Sequence, residues 1–137
     1  MTAREAVVAG AGVAGLSAAW QLARKGHEVT VYDDAANIGG KLEQVIPRKR
    51  MPHELLQLEL KRIQDIGVKF VTSCHVDKAK FQEIREGSDA VIVASGGHKS
   101  RFFPWEGVEK LTMGLDFLKK VNRGEKPPVG KHVLVIG

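Results

Sequence analysis

The sequence predicts an α/β fold with a mostly parallel, doubly wound sheet. Three observations predict it. Short β-branched runs alternate with stretches of helical periodicity, the first strand–helix–strand unit closes within about 30 residues, and glycines stand where strands end. Parallel strands cannot be joined by tight hairpins and need crossover segments, so the alternation itself carries the inference.

Taken in order, Ala6, Val7, Val8 and Ala9 form a short apolar run that stops at glycine, a buried strand. Val13 to Lys25 has helical spacing, with Leu16, Ala19, Trp20 and Ala23 on one face, and Gly26 after Arg24-Lys25 is a C-terminal stop. Val29 to Tyr32 is a second β-branched strand. Residues 33–52 lack periodicity and are punctuated by Gly39-Gly40, Pro47 and Pro52, so they read as a long functional loop. Helical spacing returns from His53 to Ile66, with Leu56, Leu60 and Ile63 aligned and Gly67 as the stop. Val68 to Thr72 is a third strand, Phe81 to Arg85 a short helix, and Ala90 to Ala94 a fourth strand bounded by Asp89 and Gly96-Gly97. Gly114 to Val121 reads as helix and Val133 to Ile136 as a last strand, after a Pro127-Pro128-Val129-Gly130 linker. A strand at that place with no crossover helix behind it predicts a fragment of a longer protein.

Composition narrows the function. A chain of 137 residues fits one ordinary domain, and 43% hydrophobic with 27% charged residues is globular rather than disordered. The net charge of +5 suits phosphate-bearing ligands, and equally a plain solvated surface. Nucleic-acid binding asks for basic residues clustered with aromatics. Only Arg48-Lys49-Arg50 form a run, without an aromatic among them, so no nucleic-acid partner is expected. Cys74 is the single cysteine, which leaves no dithiol and no iron–sulfur ligand set within the chain. The segment Ala6 to Ala14 lacks the basic start of a signal peptide, and no apolar run nears the roughly 20 residues of a membrane span. The expected setting is cytoplasmic, with no membrane partner.

The motif with the most chemistry is Gly10-Ala11-Gly12-Val13-Ala14-Gly15, which follows a predicted strand, opens a predicted helix and has Asp33 about 20 positions on. This is the dinucleotide fingerprint of a Rossmann-like fold. Gly10 permits the tight turn, Gly12 lets a pyrophosphate approach the backbone, and Gly15 lets helix and strand pack closely. The free N–H groups of Gly12, Val13, Ala14 and Gly15, with the helix dipole, face negative phosphates. Asp33, at the end of the second strand, is placed to accept hydrogen bonds from ribose hydroxyls, with Asp34 as the alternative. Gly39-Gly40 in the long loop suits a close pass by the same ligand, against the simpler reading of a β-turn. Ala94, Ser95 and Gly96 end a strand at the sheet edge where ligands of such folds bind.

These features occur together with Ile46-Pro47, Arg50-Met51-Pro52, Ala94-Ser95-Gly96-Gly97-His98-Lys99-Ser100-Arg101 and Gly114-Leu115-Asp116-Phe117-Leu118. In that order they resemble the FAD-binding region of the glutamate synthase small (beta) subunit family, of pyridine nucleotide-disulfide oxidoreductase type. Its fold is shared by dihydropyrimidine dehydrogenase and related flavin subunits. The resemblance runs from Ala6 to Gly137. It implies that Gly10, Gly12 and Gly15 hold the FAD pyrophosphate, that Asp33 takes the adenosine ribose, and that Gly40, Lys41 and Leu42 run beside the pyrophosphate and ribityl chain. It further implies that Val76, at the end of the third strand, offers its backbone to adenine, and that Ala94, Ser95 and Gly96 close over the cofactor. Residues 1–130 would be an incomplete FAD-binding domain, and 131–137 the first strand of a truncated NAD(P)H-binding domain.

Four departures from the family stand out. Val45 replaces a Gly often found before Ile-Pro, so the geometry of the loop beside the flavin is not carried over. The usual Pro-Gly appears as Pro104-Trp105-Glu106-Gly107. The cysteine-rich N-terminal iron–sulfur segment and the C-terminal strand that completes the FAD site are both missing. The five histidines are scattered without metal-ligand spacing, and His98 alone, after the fourth strand, is kept as a functional candidate. Lys99 and Arg101 suit either a phosphate or a solvated loop. No catalytic side chain and no metal are expected, because a flavin carries hydride chemistry itself.

The resulting expectation is an enzyme part. In the intact protein NAD(P)H reduces FAD, and electrons pass to an iron–sulfur or large catalytic subunit; the fragment alone is expected to be inactive. The alternatives are a dienoyl-CoA-reductase-like NAD(P)H:FAD module and a non-catalytic nucleotide-binding module.

Overall fold

The structure is a computed structural model that describes residues 3–101 and 104–136. Strand β1 (Glu5–Ala9) leads into helix α1 (Val13–Arg24), and β2 (Glu28–Tyr32) follows. The 33–52 segment is not wholly loop, since it holds a single helical turn, α2 (Lys41–Gln44). Then come α3 (His53–Asp65), β3 (Lys69–Val71), α4 (Lys78–Glu86) and β4 (Ala90–Val93). A 3-10 turn (Val108–Lys110) and α5 (Gly114–Asn122) close the order.

The four strands form one parallel sheet in the order β3-β2-β1-β4. In register, Val8 stands beside Val31 on one side and Ile92 on the other. The chain therefore winds outward from β1 through β2 to β3, then returns across β1 to lay down β4. The reversal falls between β1 and β4, and the carboxyl ends of both strands open there, which is where ligands of open α/β sheets bind.

The core explains the winding. Val8 and Val31 are 0% and 1% exposed, and with Ala11, Ala19, Val29 and Val68 they form one buried cluster. Each such valine contributes roughly 1.5–3 kcal/mol through removal of its side chain from water. A second cluster, Leu16, Leu56 and Leu60, joins α1 to α3, and Ile38, Ile63 and Phe70 pack against both. Of the residues aligned by helical spacing, Leu16, Ala19 and Ala23 in α1 and Leu56, Leu60 and Ile63 in α3 face inward, whereas Trp20 joins neither cluster and is half-buried under the Arg24 guanidinium. Helix α4 is capped by Asp77, whose carboxylate accepts from the Lys80 N–H at 2.8 Å. At the other end of the sheet, Asp89 accepts from the Glu5 N–H at 2.9 Å and fixes the start of β1 to that of β4.

One predicted strand is absent. Residues 133–136 pair with nothing in the sheet, and Val133, Leu134, Val135 and Ile136 are 61%, 85%, 82% and 59% exposed. They line an open apolar hollow with Trp105, Met113 and Phe117 instead. A β-branched run has the composition of a strand, but it becomes one only where a neighbouring ladder accepts it. Gly137, which follows that predicted strand, lies outside the described residues.

Candidate functional site

The fingerprint turn sits at the carboxyl ends of β1 and β4. Gly10 has φ of +114°, a region that side chains avoid. A Cβ there would collide with the Ala94 carbonyl oxygen, so β1 and β4 approach as closely as they do only because position 10 is glycine. Its N–H donates to the Tyr32 carbonyl at 2.7 Å, and the Ala94 N–H donates to Ala9 at 2.7 Å. Gly15, buried in the first turns of α1, would drive a Cβ into the Gly10 carbonyl oxygen. The helix is thereby pressed onto the turn that precedes it.

Gly12 differs from both. It caps α1 with φ of −82° and ψ of −172°, makes no side-chain cap bond, and a Cβ on it would meet nothing within 4 Å. The space is open where Gly10 and Gly15 are jammed. The first amides of α1 have no acceptor inside the helix and are directed out of its N-terminus. Val13, 58% exposed, and Ala14 flank that opening without covering it. An opening of this kind, lined by backbone N–H groups and free of side chains, fits a pyrophosphate.

The Gly39-Gly40 segment folds over the turn. The Gly39 N–H donates to the Ala11 carbonyl at 2.8 Å, and a Cβ on Gly40 would stand 2.8 Å from Gly12 Cα. Gly40, at φ of +54°, also caps α2. Lys41 is exposed at the head of that turn, while Leu42 packs against the Leu16, Leu56 and Leu60 cluster. Leu42 thus turns its side chain to the core and leaves only backbone for a ligand. Val45, the departure from the family pattern, is buried at φ of −121°, a conformation open to any residue, so the loop closes without a glycine there.

Asp33 is more committed than a ribose acceptor alone. Its Oδ2 accepts from the Ala11 N–H at 2.6 Å and its Oδ1 from the Ala35 N–H at 2.9 Å. The carboxylate therefore fastens the end of β2 to the middle of the fingerprint, with its remaining lone pairs still available. Asp34 is exposed and makes no such bond among the described residues. Val76 is not at a strand end: β3 stops at Val71, and Val76 lies in the link to α4, just before the Asp77 cap. A turn at Ser73, with φ of +53°, ends the strand early. Its N–H donates to Ala35, and the Cys74 N–H donates to the Asp33 carbonyl at 2.9 Å, so the link still returns to the Asp33 corner. Ser95 and Gly96 are exposed beyond β4, and the His98 Nε2–H reaches the Ser95 carbonyl at 2.6 Å, bracing that turn.

Sequence reasoning missed one charged group. Glu43 is 8% exposed and accepts from both terminal nitrogens of Arg48, at 2.9 and 3.2 Å. Hydrogen bonding to Glu43 holds the Arg48 guanidinium above its already high ordinary value. A separation of five residues matches no helical pairing rule, so nothing in the spacing flags it. Among the described residues, no cluster of His, Cys, Asp or Glu is arranged to hold a metal ion. Nor is any of their helices long and apolar enough to cross a membrane.

A fold that binds at a β1/β4 switch point, with an open glycine at its helix cap, defines a dinucleotide-binding protein of Rossmann-like α/β class. Residues 4–137 match the pyridine nucleotide-disulphide oxidoreductase family, and the chain belongs to it. FAD and NAD(P)H are the cofactors that membership brings. The chain is 38% identical over 131 residues to the putative oxidoreductase YgfK of Escherichia coli, covering 95% of itself and 13% of that protein. It is 34% identical over 145 residues to the glutamate synthase [NADPH] small chain of Azospirillum brasilense, covering 95% of itself and 30% of that protein. Among solved structures, a 2-naphthoyl-CoA reductase complex superposes over 88% of this chain and 18% of its own, with a TM-score of 0.72 and 25% identity. The chain thus spans less than a third of the length of these relatives.

Proposed function

We propose that this chain is the FAD-binding part of an NAD(P)H-dependent flavoprotein oxidoreductase, similar to the glutamate synthase small subunit. In the intact protein electrons pass from NAD(P)H through FAD to an iron–sulfur partner or a large catalytic subunit. The observation that carries this reading is the open Gly12 at the cap of α1, flanked by jammed glycines and overlaid by Gly40. When bound, FAD supplies the hydride and electron chemistry. The chain's own residues bind and orient: the amides of Gly12 to Gly15 meet the pyrophosphate, Asp33 the ribose, and the backbone of Gly40, Lys41 and Leu42 the ribityl side. The Val76 backbone near the Asp33 corner meets adenine, and Ala94 to Gly96 close over the cofactor. Residues 1–130 then make up the FAD-binding domain, and 131–137 lead into an NAD(P)H-binding one. A cytoplasmic location belongs to the same reading.

A second reading is favoured by the likeness to the naphthoyl-CoA reductase structure: an NAD(P)H:FAD module serving a CoA-thioester reductase. Both readings predict FAD at this site. Titration of the intact protein that contains this chain with FAD, followed by quenching of flavin fluorescence, tests the shared core. Saturable binding that Gly12→Val abolishes supports it. Binding that survives Gly12→Val, or tighter binding of NADPH than of FAD, refutes it.

A further inference from the structure

We infer that Glu43 is a positioning residue for the dinucleotide site: its buried carboxylate, gripped by Arg48, holds the Gly39-Gly40 turn down on the fingerprint. The inference rests on the reading that the site binds FAD, and extends it to a residue outside the binding backbone.

Glu43 lies in α2, three residues past Gly40. Its Oε1 accepts from Arg48 Nη2 at 2.9 Å and its Oε2 from Nη1 at 3.2 Å, a two-pronged pairing that fixes direction as well as distance. His53 Nδ1, at the first position of α3, stands 3.4 Å from the same Oε2. The carboxylate thus joins α2 to the Arg48 stretch and to the start of α3. On its other side the stem of Glu43 supports the turn: a Cβ added at Gly39 would lie 3.1 Å from Glu43 Cβ. Backbone bonds continue the connection. Leu42 N–H donates to the Gly39 carbonyl at 3.1 Å, Gln44 N–H to Gly40 at 3.0 Å, and Gly39 N–H to Ala11 at 2.8 Å. The route from Arg48 to Gly12 is therefore one continuous set of contacts, and Gly40 at its end is the residue pressed against Gly12.

Chemistry argues for a specific role. A carboxylate this buried is costly unless it is paired, and an apolar residue of similar size would pack α2 without that cost. What a charge pair adds is a single allowed geometry. Here the geometry it sets is that of a turn with two consecutive glycines at positive φ, +117° and +54°, which has little stiffness of its own.

The test compares wild type with Glu43→Gln, which keeps shape and removes charge, and Arg48→Lys, which keeps charge and removes the fork. Two readouts are taken: amide hydrogen exchange of this chain without ligand, and the dissociation constant for FAD of the intact protein that contains it. The expected result is that the Gly39 and Leu42 amides exchange faster in both variants while the amides of β1 and β2 stay protected. FAD should bind about tenfold more weakly, in the range of couplings between residues in contact. Faster exchange spread evenly over the sheet would reduce Glu43 to a general stabiliser and overturn the inference, as would unchanged exchange at Gly39 with unchanged FAD affinity. If Glu43→Gln does not fold, Arg48→Lys decides by the same criteria. An intact protein containing this chain that fails to bind FAD refutes the functional reading, and the exchange pattern then still decides whether Glu43 pins the turn.

Discussion

Replacing Gly12 and Gly15 by alanine, one at a time, should separate folding from binding within a single turn of chain. At Gly12 the added methyl meets nothing within 4 Å, and the backbone at φ of −82° accepts it. Alanine is a poorer helix cap than glycine by several tenths of a kcal/mol, but it also lowers the entropy of the unfolded chain by a similar amount. The Gly12→Ala protein should therefore keep its stability within about 1 kcal/mol of wild type. Its FAD affinity should fall, because the methyl occupies the approach of the pyrophosphate; loss of one charged hydrogen bond costs about 1.5–3 kcal/mol, or roughly 10- to 150-fold. At Gly15 the same methyl lands on the Gly10 carbonyl oxygen and 3.1 Å from a Val8 methyl. It cannot be absorbed without moving α1 off β1, so Gly15→Ala should lose at least the roughly 1–3 kcal/mol of an overpacked core. Urea unfolding followed by circular dichroism measures the first quantity, and fluorescence titration with FAD the second. A Gly12→Ala protein that binds FAD like wild type, or a Gly15→Ala protein of undiminished stability, would refute the division of labour among these glycines.

Asp33→Ala should weaken FAD binding and also destabilise the ligand-free chain by about 1.5–3 kcal/mol, since the amides of Ala11 and Ala35 lose their charged acceptor; an unaltered urea midpoint without ligand would show those bonds to be idle. Gly40→Ala should cost about 1–3 kcal/mol from its backbone at φ of +54° and ψ of −127° alone, with a further loss from contact with Gly12 Cα, and should lower FAD affinity in the same titration. Leu56→Ala, in the α1–α3 core at 4% exposure, should cost about 2–5 kcal/mol, whereas Leu58→Ala, 59% exposed on the same helix, should stay within about 0.5 kcal/mol. Equal unfolding midpoints for those two variants would mean that the inward face of α3 is misassigned.

Most of this architecture can be read from spacing. Apolar positions in α1 and α3 recur at helical intervals because one face of each must be buried, and Leu16, Ala19, Leu56 and Leu60 are buried as that spacing requires. The fingerprint glycines are legible because each is forced by a local contact or its absence. Other features leave no periodic trace. A single turn such as α2 is shorter than the window in which periodicity can be seen. The Glu43–Arg48 pair bridges the end of that turn, so its partners are neighbours only after the chain has bent. Asp33 looks the same in a sequence whether its oxygens meet a ribose or two amides. Residues 133–136 mislead in the opposite sense, since their composition is that of a strand and their pairing depends on what lies beside them.

The bond from Asp33 to Ala11 has a kinetic consequence. It links the corner that would meet a ribose to the turn that would meet a pyrophosphate, and Gly39 is fastened to the carbonyl of the same Ala11. Three recognition elements, two of them more than twenty positions of chain away from Ala11, thus meet at that residue. A ligand arriving at such a surface has little protein to order, so little of its contact energy is spent on assembling the receptor. Association should then be a single bimolecular phase whose rate rises linearly with FAD concentration, without the plateau that a slow closing step imposes.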